Sequence, residues 1–183
     1  MVRLEPRTTE HARALLPLIF RTAVADTLVW DGPASEEEYL RTYTTQWGSP
    51  AQRHFTVVEE ATGTPVGALS IRPGFQIQRG DIGYWIGIPH AGRGLGTAAV
   101  GRSLTVAFTE MAMEKVEACA FLGNLASRRV LEKNGFVQEG LTRKAVLKRG
   151  KWLDEWVFGI TREEWEARRA LGTLPAAGGA APG

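Results

Sequence analysis

The segment Asn124–Phe136, NLASRRVLEKNGF, constrains the fold more than any other stretch, because it carries both ends of one helix. The Asn124 side chain can accept from the free amides of a first helical turn, and Gly135 can take the left-handed conformation that stops a helix before Phe136. Between them Leu125, Val130 and Leu131 form an apolar stripe that needs another element to cover it. Asn124 and Ser127 fall one turn apart at the same end and face of this helix. Such a polar pair can be a cap or a ligand contact, and the two roles are compatible.

Upstream, Val2–Glu5 reads as a strand, followed from Thr9 by a helix with Ala12, Leu15, Leu16 and Ile19 at helical spacing, bent or restarted at Pro17. Ser35 with Glu38 is a capping-box signature for a second helix running to Trp47. His54–Glu59 and Pro65–Ile71, joined by the turn residues ATGT, read as a hairpin, and Asp81–Ile88 as the next strand. An amphipathic helix with Val100, Leu104, Ala107, Phe108 and Met111 on one stripe precedes the strand Lys115–Phe121. After the Asn124 helix, Gly140–Lys148 and Trp152–Ile160 form strands around a turn at Arg149–Gly150, and Thr161 with Glu164 caps a closing helix. The order is α+β without an internal repeat, in a single domain over residues 1–170, and residues 171–183, LGTLPAAGGAAPG, are expected to form a flexible tail.

A length of 183 residues allows one domain with a sizeable core, and 44% hydrophobic against 23% charged residues excludes a disordered body. No apolar run reaches the roughly 18 residues a membrane span requires. The N-terminal stretch is charged throughout and has no small-residue cleavage site after an apolar core, so a cytoplasmic address is expected. The single cysteine, Cys119, can make no intramolecular disulfide and is expected to pack as a small buried residue. Three scattered histidines without HExxH spacing give no metal site. A net charge of +2 with no basic stripe argues against direct nucleic-acid binding.

GRGLGT, at Gly92–Thr97, lies between a strand and a helix, where backbone amides and the positive helix end can hold an anionic phosphate. A tight connection with close packing is the plainer use of the same glycines. The GxxxxGK(S/T) pattern is absent, which removes the P-loop nucleotide sites. Gly94, Gly96 and Ala99 fit the GxGxxA dinucleotide pattern, but the loop lies mid-chain after an antiparallel series. No acid ends the following strand Lys115–Phe121, and Glu114 precedes it, on the wrong side for a ribose.

Taken together, GYW at Gly83–Trp85, the glycine loop, N-x-x-S-x-x-V-L-E-K-x-G-F, EG followed by a basic hairpin with G-K-W-x-D at Gly150–Asp154, and a terminal E-W resemble the GNAT N-acetyltransferases. The resemblance covers nearly the whole chain and is greatest to the RimJ/RimL type, which acetylates ribosomal-protein N-termini. It implies the GNAT fold, a mixed, mostly antiparallel central sheet of about seven strands flanked by helices. It also implies acetyl-CoA as co-substrate, no metal, and an amine acceptor. Backbone amides of residues 92–97 would cradle the pyrophosphate, with Gly94, Leu95 and Gly96 at the turn, Arg93 adding charge and Thr97 a hydroxyl. Ile86 and Ile88 would meet the pantetheine arm through their backbone, Asn124 and Ser127 the ligand, and Lys133 with Arg128 and Arg129 its phosphates. Two positions depart from the pattern: Ala91 stands where the family has Arg or Gln, and Leu131 where many members have a tyrosine.

Acetyl transfer to an amine requires a neutral nucleophile, a stabilised oxyanion and a proton for the departing thiolate. The resemblance assigns the oxyanion to a backbone amide in Trp85–Gly87 and, with the tyrosine missing, the proton to Ser127. Asp81 is the first candidate base, since members with a side-chain base commonly carry a carboxylate early in this strand, although an aspartate after Arg79–Gly80 is more often a turn residue. Glu117, Asp154 and a water chain are the alternatives. Trp30 and Trp47 can line an acceptor cleft. The acceptor implied is a protein N-terminal α-amine, with two alternatives, a small amine such as a polyamine, amino acid or antibiotic, and a coenzyme A sensor without turnover. A homodimer through the strand Trp152–Ile160 with its hairpin is a further expectation.

Overall fold

The computed structural model describes residues 1–44, 51–76 and 78–174. In chain order these residues form β1 (Val2–Pro6), α1 (Thr9–Ile19), α2 (Glu36–Tyr43), β2 (Arg53–Glu59), β3 (Thr64–Pro73) and β4 (Arg79–Ile86). There follow α3 (Leu95–Thr105), β5 (Lys115–Phe121), α4 (Leu125–Lys133), β6 (Val137–Lys148), β7 (Lys151–Thr161) and α5 (Arg162–Ala170). Among the described residues the strands make one 7-stranded sheet in the order β1-β2-β3-β4-β5-β7-β6. Every neighbouring pair is antiparallel except β4 with β5, which is parallel. A parallel step needs a crossover, and α3 supplies it.

The local signals account for the ends of these elements. Thr8 caps α1 through His11 N, Ser35 caps α2 through Glu38 N, and Thr161 with Glu164 forms a full capping box on α5. Glu38 turns its carboxylate to the Ala34 amide instead of the Ser35 amide. Pro17 neither ends nor restarts α1, which is one helix to Ile19. The helix expected to reach Trp47 is assigned to Tyr43, and Trp47 lies outside the described residues.

The sheet is covered on both faces, so its middle strands read as near-continuous apolar runs; β3 is buried from Val66 to Ile71. On one face Leu95, Ala99, Val100 and Leu104 of α3, Leu131 of α4 and Trp165 of α5 close over Ile82, Val116 and Phe158. On the other, α1 and α2 lay Ala12, Leu15, Ile19, Tyr39 and Tyr43 against Ala68, with Trp85 packed beside them. β5 alternates between these environments: Val116, Ala118 and Ala120 are buried toward α3, which turns Cys119 to the α1–α2 face. Cys119 is exposed there, contrary to the buried position expected of a small apolar residue.

One further expectation changes. Leu125 is 52% exposed, so the stripe of α4 that meets the core is carried by the buried Leu131 and the half-buried Val130. Residues Glu155–Gly159 of β7 have β5 on one side and β6 on the other, which leaves that strand no free edge for pairing with a second copy there. The sheet edges are β1 and β6. Beyond α5, Leu171 is 76% exposed while Leu174 packs against the main core.

Candidate active site

The defining geometry is a fork in the sheet. β4 and β5 pair only over Arg79–Asp81 and Lys115–Glu117, and Asp81 with Glu117 is the last matched pair before they part. β4 stays bonded to β3 as far as Ile86, and β5 to β7 as far as Phe121. One edge of each strand therefore faces the gap with its main-chain groups unspent on a neighbour. Gly87 N donates to Val66 O at 2.8 Å, toward β3. Successive strand amides point to opposite edges, so the Ile86 N–H points into the fork.

At the open end of the fork the chain makes a short 3-10 turn, Ile88–His90, and enters the glycine loop. Ile88 is 54% exposed beside it. Gly92 and Gly94 have φ of +75° and +79°, which side chains with a Cβ rarely adopt, and a Cβ at either would meet open space. Gly94 is the N-cap of α3 and offers no side-chain cap, so the first-turn amides of Leu95, Gly96 and Thr97 lack the intrahelical partners that later turns enjoy. The first backbone bond of the helix runs from Ala98 N to Gly94 O. An open groove of about 490 Å³ lies against this turn, lined by Gly94, Thr97, Ala98, Lys133, Thr173 and Leu174. An anion in that groove would meet backbone amides, the positive end of α3 and the Lys133 ammonium. Arg93 is turned away and ion-paired with the buried Glu59.

Asn134, which sequence reasoning passed over as part of a helix stop, fixes α4 to this turn. It is fully buried and donates through Nδ2 to Thr97 O at 3.1 Å and Val130 O at 2.8 Å. At the other end of α4, Asn124 is a true cap, its side chain accepting from Ser127 N at 3.1 Å. The Ser127 hydroxyl meets the phenol of Tyr84, Oγ to Oη 3.0 Å. Tyr84 reaches it from β4, so the phenol that Leu131 cannot supply from α4 arrives across the fork. Burial pushes the Tyr84 pKa up to about 12, with the Ser127 hydrogen bond opposing, so the phenol keeps its proton at neutral pH. The sequence signal was present, since Ile82, Tyr84 and Ile86 share one strand face, but GYW read only as a strand.

Residues 2–137 match the family of the acetyltransferase (GNAT) domain. The chain belongs to the GNAT acetyltransferases. The "Putative ribosomal N-acetyltransferase YdaF" of Bacillus subtilis (strain 168) is 32% identical over 146 residues, 76% of this chain and 78% of that protein. The "Probable N-acetyltransferase YjcK" of the same organism is 37% identical over 118 residues, 62% of this chain and 64% of that one. A GNAT-family acetyltransferase from Bacillus anthracis superimposes with a TM-score of 0.80 at 22% identity, over 88% of this chain and 95% of that one. A mutant of the spermidine N-acetyltransferase SpeG from Vibrio cholerae shares the fold, with a TM-score of 0.76 at 19% identity over 92% and 98%. The protein is thus an acetyl-CoA-dependent N-acetyltransferase.

Like the rest of this GNAT sheet, the α1–α2 side of the fork is built from alternating strand residues, and here they are acidic. Asp81 from β4 is held by Arg72 of β3, Nε to Oδ1 2.7 Å. Glu117 from β5 is held by Arg79 at 2.7 Å and by Lys115 at 3.6 Å. Glu155 from β7 stands on the same face, opposite Phe121 in register. These carboxylates surround Cys119, and burial together with Glu155, Asp81 and Glu117 pushes its thiol up to about 11, against the opposing pull of Arg72. The thiol therefore stays protonated at neutral pH, which gives no support to an acyl-cysteine. Asp154, the other acid considered, accepts from Lys144 N at 2.8 Å within the β6–β7 hairpin.

Among the predicted site residues, the structure brings Gly94, Leu95, Gly96, Thr97 and Lys133 together at the groove. Ile86, Asn124 and Ser127 sit around the fork, and Asp81 lies at its apex on the opposite face. No helix among the described residues is long and apolar enough to cross a membrane.

Proposed function

We propose that this GNAT protein transfers the acetyl group of acetyl-CoA directly to the α-amine of a protein N-terminus. The single observation behind this reading is the fork between β4 and β5, which connects an anion-binding turn on one face of the sheet with an acid-lined surface on the other. Coenzyme A would lay its pyrophosphate on the amides of residues 92–97 beside Lys133, and pass its pantetheine arm along the free edge of β4 past Ile86 and Ile88. The thioester carbonyl would accept from Ile86 N–H, a fixed donor aimed into a gap that water leaves when the ligand enters.

The amine enters from the acidic face and its lone pair forms the C–N bond at the carbonyl carbon. Collapse of the tetrahedral intermediate breaks the C–S bond, the nitrogen loses a proton to a carboxylate or water, and the thiolate gains one. Ser127 is the candidate donor to sulfur, oriented by Asn124 below it and Tyr84 beside it. Asp81 is the candidate acceptor by position, at the apex of the fork. The acceptor class is supported by the likeness to YdaF, named a putative ribosomal N-acetyltransferase, and by acids suited to a protonated amine. Thiol release from acetyl-CoA against N-terminal peptides, polyamines and aminoglycosides tests it. Turnover confined to peptides carries the proposal, turnover confined to small amines replaces its acceptor, and absence of turnover with all three leaves a coenzyme A sensor.

A further inference from the structure

The loop that opens α3 has little of its own to hold it. Ala91, Gly92, Arg93 and Gly94 are all exposed, and the glycines on either side of Arg93 hold φ of +75° and +79° with open space where a Cβ would stand. Glycines lose the most conformational freedom when they are fixed, so a loop of this kind keeps one shape only if something outside it supplies the restraint. Among the described residues, one side-chain contact of these four does so: Arg93 Nη2 donates to Glu59 Oε1. Glu59 is the last residue of β2, 7% exposed, and its other carboxylate oxygen accepts from Thr62 Oγ1 at 3.3 Å. Stripping a buried carboxylate of its partner is costly, which makes the contact with Arg93 hard to give up. The next residue repeats the grip, Glu60 pairing with Arg102 of α3 at 2.5 Å. Two consecutive acids at the end of β2 therefore fasten the chain both ahead of α3 and within it.

We propose that Glu59 is a positioning residue for coenzyme A: through Arg93 it holds the Gly92–Gly94 loop, and with it the amides of Leu95, Gly96 and Thr97, in the shape that receives the pyrophosphate. The proposal rests on the transferase reading above and adds to it a residue 34 positions before Arg93 in the chain. Backbone donors aimed before a ligand arrives cost nothing to organise when it binds, and affinity gained in this way is lost when the restraint is cut, although no ligand contact is removed. Arg93 is not a phosphate ligand in this arrangement, because its guanidinium is turned to Glu59 and the pair carries no net charge. The sign of the effect separates the two roles. Removing the negative charge of Glu59 from the neighbourhood of an anion strengthens binding by electrostatics alone, and freeing Arg93 for phosphate strengthens it further. A lost restraint weakens it.

Calorimetric titration with coenzyme A, at a temperature well below the melting point of each variant, decides between them. Glu59→Gln and Arg93→Gln should each weaken binding by roughly 5- to 20-fold, and the double variant should be no weaker than either alone, since both cut one contact. Arg93→Lys, which keeps the pair, should recover most of the loss. In steady state KM for acetyl-CoA should rise by a similar factor in both Gln variants, with KM for the amine within about twofold. Tighter or unchanged binding in Glu59→Gln overturns the proposal, and so does a double variant whose losses add. A lower melting temperature with affinity kept also overturns it, because the pair then only braces the fold. The Arg93 side chain is 48% exposed, so Arg93→Gln keeps the test open if the Glu59 variant does not fold. Failure of the parent chain to bind coenzyme A would remove the transferase reading and the proposal together. Binding without turnover on any amine would sink the transferase reading alone and leave the role of Glu59 to the titrations.

Discussion

Ser127 and Tyr84 meet through a single side-chain contact across the fork. The serine hydroxyl is a weak acid, and its use depends on where its proton points. Tyr84 has a pKa near 12 and is itself a donor, so a hydrogen bond from the phenol to Ser127 Oγ frees the serine proton for the fork. Tyr84→Phe should lower kcat by about 3- to 10-fold, the worth of one neutral hydrogen bond, with little change in either KM. The phenol ionises above its ordinary value of 10.0 in the folded state, so its contribution to stability is complete below pH 10 and is lost as pH rises toward 12. The Phe variant should accordingly lose less stability than its parent between those values in alkaline melts. Equal alkaline losses in parent and variant would show that the phenol is not held as the contact requires. Asp81→Asn bears on the other proton: a drop of roughly 10²-fold in turnover with a flattened acidic limb marks a base, and an unchanged limb marks Arg72's structural partner.

At the scale of elements, the groove proposed for coenzyme A depends on a helix whose first turn is left uncapped and on a second helix clamped beside it. Gly94 must hold φ of +79° to start α3, and its empty Cβ position opens onto the groove. Gly94→Val therefore strains the turn by about 1 to 3 kcal/mol and fills space next to the amides. Calorimetric titration should show coenzyme A affinity reduced at least about tenfold, more than the change in stability alone would give. Unaltered affinity in a folded variant would move the phosphate site away from this turn. The buried Asn134 explains why α4 lies where Lys133 can join the groove: its amide ties Val130 of its own helix to Thr97 of α3.

Across the whole molecule, the acidic face is closed by a contact between distant parts of the chain. Lys148, at the end of β6, is buried, and its ammonium donates to the carbonyls of Ala25, Leu28 and Trp30, the last at 2.9 Å. This latch holds the segment between α1 and α2 against the β6–β7 hairpin, and Arg149 adds an outer pair with Asp26 at 2.7 Å. Trp30 is thereby anchored through its backbone carbonyl, its side chain 43% exposed. Lys148→Met fills similar volume but leaves three carbonyls without their donor, and should cost about 3 kcal/mol, or roughly 6 to 12 °C in Tm. A loosened rim should also raise KM for the amine while coenzyme A binding is kept. A variant with unchanged Tm would show that water serves those carbonyls equally well.

The sequence by itself determined most of the elements and the glycine turn between β4 and α3. Caps at Ser35, Asn124 and Thr161, the glycine loop and the alternation of the strands are local, written within a few residues of where they act, so their physics is legible without a fold. The fork, and the side from which each residue faces it, came only with the tertiary structure. Strand pairing is non-local: nothing near Asp81 announces that β5 leaves it after Glu117, and nothing near Trp156 announces that β7 is an inner strand. Ion pairs such as Arg72 with Asp81 and Arg93 with Glu59 depend on neighbours brought in by the sheet, and they decided which charges remain unspent. The Tyr84 phenol beside Ser127 and the Lys148 latch belong to that second class, because each is defined by what lies across a gap between elements far apart in the chain.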